Sequence, residues 1–376
     1  MQIVAPSPEG LEKLLAKEIG DLGGSNIKVF KRFISFSCDN ATFYRIHFFS
    51  RIAFRFYRQI STFLCNDKYD LYKGVQSSLN WLRWIPTDKS FCVKVTGKNL
   101  NLRHSHFTAL QVKNAIVDMQ TETFGERSNI SLDCPYLIIN LHLYNNEATL
   151  SLQSTLDSLH KRGYRPAMGH APIKENLASG LIQLTGWDGR KPLIDLMCGS
   201  CTFLIEGLSY LFNTPNISEE SYLFENWIDF DKNVFLNEKS KIIKNSSYKK
   251  NLPKLIGCDS DKRIIAQAKD NIALAGYTHF IDLKNCDFSE INTNELQEIG
   301  LLLCNPPYGK KLGNESDLIN LYTRLGQFVK EKFSKWEFWL LSGNPELTKY
   351  LKMKSSLKIP ISNGGIDCRW IKYLIK

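Results

Sequence analysis

At 376 residues, 43% of them hydrophobic and 23% charged, the chain can bury a sizeable core and has room for two or three domains. No apolar run reaches the about 18 residues a membrane helix needs, and Met1–Pro6 lacks the charged-then-apolar pattern of a secretion signal, so a cytoplasmic protein with no membrane contact is expected. Ten scattered cysteines in that setting are expected to be reduced thiols, and a formal net charge of +10 favours a polyanionic partner.

The excess charge is uneven, with 21 Lys and Arg against 14 Asp and Glu in residues 1–165. Ser7-Pro8-Glu9 reads as a helix start, with Ser as cap and Pro in the first turn. Leu11, Leu14, Leu15 and Ile19 follow at helical spacing, and Gly23-Gly24 ends the run. Ile27–Phe30 and Phe33–Phe36 predict a hairpin about Lys31-Arg32, which completes a small α+β unit. From Phe43 to Arg58, seven aromatic residues alternate with Arg45, Arg51, Arg55 and Arg58 and no acidic residue intervenes. Two readings stay open there: buried rings with solvated arginines, or a nucleic-acid surface.

Between about residues 60 and 160, helical and β-rich segments alternate: Leu79–Trp84, Phe91–Thr96, Phe107–Met119, Leu137–Tyr144 and Ala148–Gln153. Val93, Val95, Ile138 and Leu141 read as strand core, fringed by Lys94, Lys98, Arg103, His104, His106 and Lys113. Beyond Lys161–Arg165 the texture changes to short apolar runs separated by helices: Pro192–Leu196, Leu255–Cys258, Ile281–Cys286, Leu301–Cys304 and Phe338–Leu341. That alternation predicts an α/β, doubly wound parallel sheet, and Lys239–Asn251 reads as a surface segment.

In such sheets ligands gather at the carboxyl ends of the strands, so the strand ends are the residues to inspect. The first gives Asp195-Leu196-Met197-Cys198-Gly199-Ser200-Cys201-Thr202, without the three-glycine spacing of a dinucleotide fingerprint. Gly199 lets backbone approach a cofactor, and Asp195 can hold the loop or meet the cofactor's amino group. Cys198 and Cys201 have the spacing of half a zinc site or a redox pair, but no second pair matches it. Asp259 can accept from ribose hydroxyls or, with Asp261, cap a helix, and Asp287 can accept from an adenine amino group or cap the next helix.

The fourth strand ends in Asn305-Pro306-Pro307-Tyr308-Gly309. An exocyclic base nitrogen is a poor nucleophile because its lone pair is delocalised into the ring, and two acceptors aimed at its hydrogens stabilise the charge that develops on methylation. The Asn305 amide oxygen and Pro306 carbonyl supply two acceptors. Pro307 forces Pro306 into an extended conformation, and Tyr308 offers a ring on which a splayed base stacks.

With those residues in place, the chain resembles the THUMP-containing RNA guanine-N2 methyltransferases of the UPF0020 RNA methylase family, in particular those modifying large-subunit ribosomal RNA. The resemblance spans nearly the whole chain. It rests on Gly163-Tyr164-Arg165, Ala171–Ala178, Asp195–Thr202, Phe224-Glu225-Asn226-Trp227, Asn305–Gly313, Ser362-Asn363-Gly364 and Cys368-Arg369. It implies a ferredoxin-like α+β domain (residues 1–58), a THUMP RNA-binding domain (59–160) and a Rossmann-like class I methyltransferase domain (161–376). It also implies S-adenosylmethionine as cofactor, bordered by Asp195, Met197, Cys198, Gly199, Asp259, Asp287 and Asn305, with Asn305, Pro306, Pro307 and Tyr308 at the target base. Lys174, Glu175 and Asn176 are expected either to line the cleft or to start a helix. One departure stands out, since the family usually has glycine where this chain has Cys201. A DNA adenine-N6 methyltransferase and a catalytically inactive RNA-binding assembly factor are the competing readings.

Overall fold

The structure, a computed structural model, describes residues 1–165, 173–216, 222–244, 252–293, 298–308 and 314–376. Ala171, Pro172, Gly309–Gly313 and the end of the Lys239–Asn251 segment lie outside the described residues. The first part of the chain runs β1 (Gln2–Pro6), α1 (Glu12–Asp21), β2 (Ser25–Phe30), β3 (Phe33–Ser37), α2 (Asn40–Phe49), β4 (Tyr57–Leu64), α3 (Lys68–Ser78) and α4 (Trp81–Trp84). It continues with β5 (Ser90–Lys98), α5 (Ser105–Phe124), β6 (Asn129–Ile130), β7 (Leu137–Tyr144) and β8 (Glu147–Gln153).

These eight strands make one sheet in the order β2-β3-β1-β4-β8-β7-β5-β6. Strand β4 fuses its two parts: Tyr57 and Arg58 pair with β1, while Tyr57–Leu64 pairs antiparallel with β8. The expected boundary at residue 58 therefore falls inside a shared strand. The predicted hairpin forms about Arg32, which takes a positive φ of 70°. The predicted helix starts later than Ser7-Pro8-Glu9. Ser7 donates its backbone N–H to Arg32 instead of capping, and Gly10 turns the chain at φ 97° before α1 begins at Glu12. A Cβ at Gly10 would lie 2.2 Å from the Pro360 carbonyl oxygen, so only glycine allows this turn to sit against the second half of the molecule.

The second half runs α6 (Glu175–Thr185), β9 (Leu193–Asp195), α7 (Thr202–Leu211), α8 (Lys232–Lys244), β10 (Leu255–Asp259), α9 (Lys262–Leu274) and β11 (Ile281–Asn285). It ends with β12 (Leu301–Cys304), α10 (Glu315–Lys332), β13 (Glu337–Ser342), α11 (Pro345–Lys349), β14 (Ser355–Asn363) and β15 (Ile366–Leu374). The strand order is β11-β10-β9-β12-β13-β15-β14, parallel from β11 to β13 and antiparallel across β15 and β14. After β9 the chain steps to β10 on one side and later to β12 on the other, so the topological switch point lies at the carboxyl end of β9.

The buried-ring reading of Phe43–Arg58 holds for the rings but not for the arginines, three of which are not solvated but join the two halves. Arg51 is buried and donates to the Ser209 carbonyl and to Asn216, Arg45 pairs with Glu238 at 2.9 Å, and Arg58 pairs with Asp229. The rings beside them are core: Phe43, Tyr44, Phe48 and Phe56 are buried, and Phe43 and Tyr44 pack against Phe224. The Phe224–Trp227 motif thus serves the same seam, where Asn226 and Tyr136 exchange hydrogen bonds through their side chains and carbonyls. Leu11 closes it on α6, since a Cβ at Gly180 would lie 2.4 Å from the leucine Cδ1. Among the described residues, no helix is long and apolar enough to cross a membrane.

Candidate active site at the sheet switch point

Strands β9, β10 and β12 deliver Asp195, Asp259 and Asn305 to one edge of the sheet. Asp195 sits opposite Gly257 of β10 and Leu303 of β12 in register, and the Leu196 N–H continues the ladder to the Leu303 carbonyl. Asp195 is 1% exposed and accepts the Met197 N–H at 3.3 Å, so of its two expected roles the structure displays the loop-holding one. Burial pushes its carboxyl up to about 7; the Met197 N–H works against that shift and neighbouring Asp259 adds to it.

The loop from Met197 to Thr202 is fixed by long-range partners that the sequence pattern did not reveal. The Cys198 N–H reaches the Cys258 carbonyl, the Gly199 N–H reaches the Asp259 carboxylate at 3.2 Å, and Asn271 of α9 donates to the Ser200 carbonyl at 3.1 Å. Ser200 and Thr202 share a hydrogen bond through their hydroxyls, and Arg165 donates to the Thr202 hydroxyl at 3.0 Å. Arg165 is itself paired with buried Glu175 at 2.9 Å. Glu175 therefore starts α6 and supports the loop from behind, while Asn176 donates to the Ile52 carbonyl in the seam and exposed Lys174 lies over the Phe54 ring.

Cys201 explains why glycine suits its position: it caps α7 with φ 63°, in the left-handed region. A side chain there costs about 1–2 kcal/mol of backbone strain. Its side chain is fully buried and packs in the hydrophobic core. Contact with Cys201 and burial together push the Cys198 thiol well above its usual range, which makes it a poor nucleophile and a poor metal ligand. Among the described residues, no group of three or more His, Cys, Asp or Glu side chains is placed to hold a metal.

Asp259 uses one oxygen on Gly199 and the other on the Asp261 N–H at 2.9 Å, while Asp261 takes the helix-capping role at the start of α9. Asp287 caps a short 3-10 turn through Ser289 and pairs with Arg324 at 2.8 Å. Burial alone would raise its carboxyl, but the Ser289 donors and Arg324 outweigh it and hold it below the usual range. The capping alternative is thus realised for Asp287, with Oδ1 carrying those contacts.

At the end of β12, the Asn305 Oδ1 atom is buried with no hydrogen-bond partner among the described residues. Leaving an amide oxygen so costs about 1–3 kcal/mol, a penalty a donor from a ligand would remove. Pro306 is buried, and Tyr308 is half-buried with its hydroxyl accepting from Asn363 at 2.8 Å. Gly199 offers the complementary feature on β9. A Cβ built there meets nothing within 4 Å, so the loop faces open space on the side where a cofactor would lie. The orphaned oxygen, the open glycine and the acidic strand ends fit an S-adenosylmethionine site.

Comparison with known proteins agrees with this architecture. The family described as UPF0020, RMKL-like, methyltransferase domain matches residues 162–372, the THUMP domain matches 65–153, and the RlmL ferredoxin-like domain matches 2–57. A Synechocystis sp. protein named "Putative RNA methyltransferase slr0064" is 38% identical over 97% of this chain and 94% of its own. Ribosomal RNA large subunit methyltransferase K/L of Vibrio parahaemolyticus is 35% identical over 100% of this chain but 53% of its own length, so the chain spans about half of that relative. Among solved structures, a "possible methylase" of Clostridium difficile 630 superposes with a TM-score of 0.89 at 27% identity, covering 100% of this chain and 98% of that one. SMU.472, complexed with SAH, gives 0.87 at 25% identity, again over 100% and 98% of the two chains. A Listeria monocytogenes structure described as a predicted N6-adenine-specific DNA methylase gives 0.86 at 26% identity, over 100% and 96%. The chain therefore belongs to the RMKL-like family of S-adenosylmethionine-dependent RNA methyltransferases, with ferredoxin-like and THUMP domains preceding a Rossmann-like methyltransferase domain.

Proposed function

We propose that this chain methylates the exocyclic N2 of a guanine in RNA, the RNA being that of the large ribosomal subunit. The observation that carries the reading is the buried Asn305 oxygen at the switch point, which has no partner among the described residues. When bound, S-adenosylmethionine supplies an electrophilic methyl group on a sulfonium. The Met197–Gly199 loop and Asp259 would hold that cofactor, Asp195 acting through the loop it fixes and Asp287 through Oδ2, the oxygen its cap and Arg324 do not use. Asn305 Oδ1 and the Pro306 carbonyl accept the two amine hydrogens and draw the nitrogen lone pair toward localisation, so they stabilise positive charge as it forms. Pro307 keeps the Pro306 carbonyl aimed by restricting the preceding backbone, and the Tyr308 ring supports the base face. No acid–base dyad is needed, because the proton leaves after methyl transfer.

The choice of RNA is supported by the THUMP match in residues 65–153, and the ribosomal assignment by the Vibrio relative's name. The same four-residue chemistry serves adenine in DNA, and the Listeria structure's description gives that reading a specific support. Incubation with labelled cofactor and, in parallel, unmodified large-subunit ribosomal RNA, transfer RNA and duplex DNA separates them. Label in ribosomal RNA alone supports the proposal, label in DNA supports the adenine reading, and no label in any polymer supports an inactive RNA-binding factor.

Asp195 gives a pH-dependent prediction. A carboxyl raised to about 7 on folding contributes stability that is complete below the unfolded value and is lost as pH rises through about 7. Asp195→Asn should therefore stabilise the ligand-free protein at pH 8 by on the order of 1–3 kcal/mol, and change little at pH 4, because it removes the cost of ionising a buried carboxyl. The substitution also removes the repulsion from the Asp259 carboxylate. Thermal unfolding of both proteins at the two pH values checks this, and equal shifts at both would refute the assignment.

A further inference from the structure

The Asn305–Tyr308 turn is held by residues some 55 positions later in the chain, through the half-buried Tyr308. The Tyr308 hydroxyl accepts from the Asn363 side-chain amide at 2.8 Å, and the Cys368 thiol lies 3.7 Å from it. The middle of the ring rests against the end of β13, where a Cβ at Gly343 would come within 3.0 Å of ring carbons Cδ2 and Cε2. Glycine at 343 therefore makes room for the ring, and the two polar side chains fix its tip. Burial raises the phenol above its usual range, so it stays a neutral hydroxyl.

Asn363 is well placed to impose a direction. It is the last residue of β14 and pairs with Ile366 across a turn in which Gly364 and Gly365 both have positive φ, 59° and 83°. Strand β15, which carries Cys368, is paired antiparallel with β13 from Leu374 back to Arg369, opposite Glu337 to Ser342. The hairpin thus reaches back from the sheet margin to the strand next to β12. Without the tip contact, the tyrosine ring could turn about its two side-chain torsions, and a stacked base would turn with it.

We propose that Asn363 is a positioning residue: it locks the Tyr308 ring in the plane that presents the target base to Asn305. This rests on the reading of Tyr308 as the stacking platform. Misplacing a reacting group by about 1 Å can cost about 100-fold in rate, so loss of the lock acts on turnover. With saturating S-adenosylmethionine and RNA, Asn363→Ala should lower kcat by about 10-fold or more, with cofactor affinity within about twofold of wild type. Tyr308→Phe, which loses the same bond from the other side, should do likewise, and the double variant should be no worse than the more impaired single one. Asn363→Asp should retain most activity, since the phenol then donates to the carboxylate.

The outcomes separate the inference from the reading beneath it. If Tyr308→Ala is inactive while Asn363→Ala and Tyr308→Phe turn over like wild type, the platform stands and the lock is wrong. If Tyr308→Ala turns over like wild type, the platform reading fails and the lock with it. Should Asn363→Ala not fold, Tyr308→Phe and Asn363→Asp carry the test: a slow Tyr308→Phe with an active Asn363→Asp supports the lock, and any other combination overturns it.

Discussion

Asn305→Ala is expected to move activity and stability in opposite directions. Removing one preorganised acceptor of developing charge costs about 2.7–4 kcal/mol in the transition state, or about 100–1,000-fold in kcat. Removing a buried oxygen that has no partner among the described residues should leave the melting temperature unchanged or raise it, because an unsatisfied amide oxygen carries a penalty of about 1–3 kcal/mol. Cofactor affinity measured by calorimetry should change far less than kcat, since the amide's main role in this account is toward the base. A residue retained for packing would behave the other way round, losing stability and little turnover. Melting temperature, cofactor binding and turnover on one preparation decide between the two.

The second large effect is expected from Glu175→Ala, where stability falls first. Arg165 and Glu175 have side chains only 7% and 5% exposed, and the guanidinium also donates to the Ile173 carbonyl and the Thr202 hydroxyl. Truncating Glu175 leaves a buried cation without its carboxylate, a loss of about 3–5 kcal/mol. For a domain this size that corresponds to a fall in melting temperature on the order of 5–10 °C. The effect should spread to the cofactor, because Thr202 holds Ser200 and so the loop that follows β9. Glu175→Gln keeps a hydrogen-bonding partner and should lose less of both. A Glu175→Ala protein with wild-type melting and wild-type cofactor affinity would refute the strut.

The parts of this structure visible in the sequence are those encoded locally. The five apolar runs of the second half appear as β9 to β13 within a residue or two, because a buried parallel strand needs a continuous hydrophobic stretch and leaves its polar residues at the ends. The Asn305–Tyr308 turn stood out for the same reason: its chemistry is contiguous. What stayed hidden depends on partners far away in the chain. Arg51 looks like a surface cation until Ser209 and Asn216 are beside it, and the Asn363–Gly364 motif has no evident purpose until its amide meets Tyr308. Ser7 reads as a cap by composition, yet the close approach of Gly10 to Pro360 delays the helix. Asp287 fits either of its two roles by sequence, and only Arg324, 37 residues on, shows the carboxylate already engaged.

The Cys201 departure is also easier to weigh in three dimensions. Its left-handed backbone carries strain, but its side chain turns into the core and leaves the open face above Gly199 free. The loop thus keeps its shape at a modest energetic cost, which argues for a working cofactor site over an inactive scaffold.

The decisive measurement digests methylated ribosomal RNA to nucleosides and identifies the modified one by mass spectrometry, with wild type and Asn305→Ala side by side. N2-methylguanosine is expected from the wild type, with a loss of about 100-fold or more in the variant. Methyl on an adenine nitrogen, or equal yields from both proteins, would contradict the proposed function.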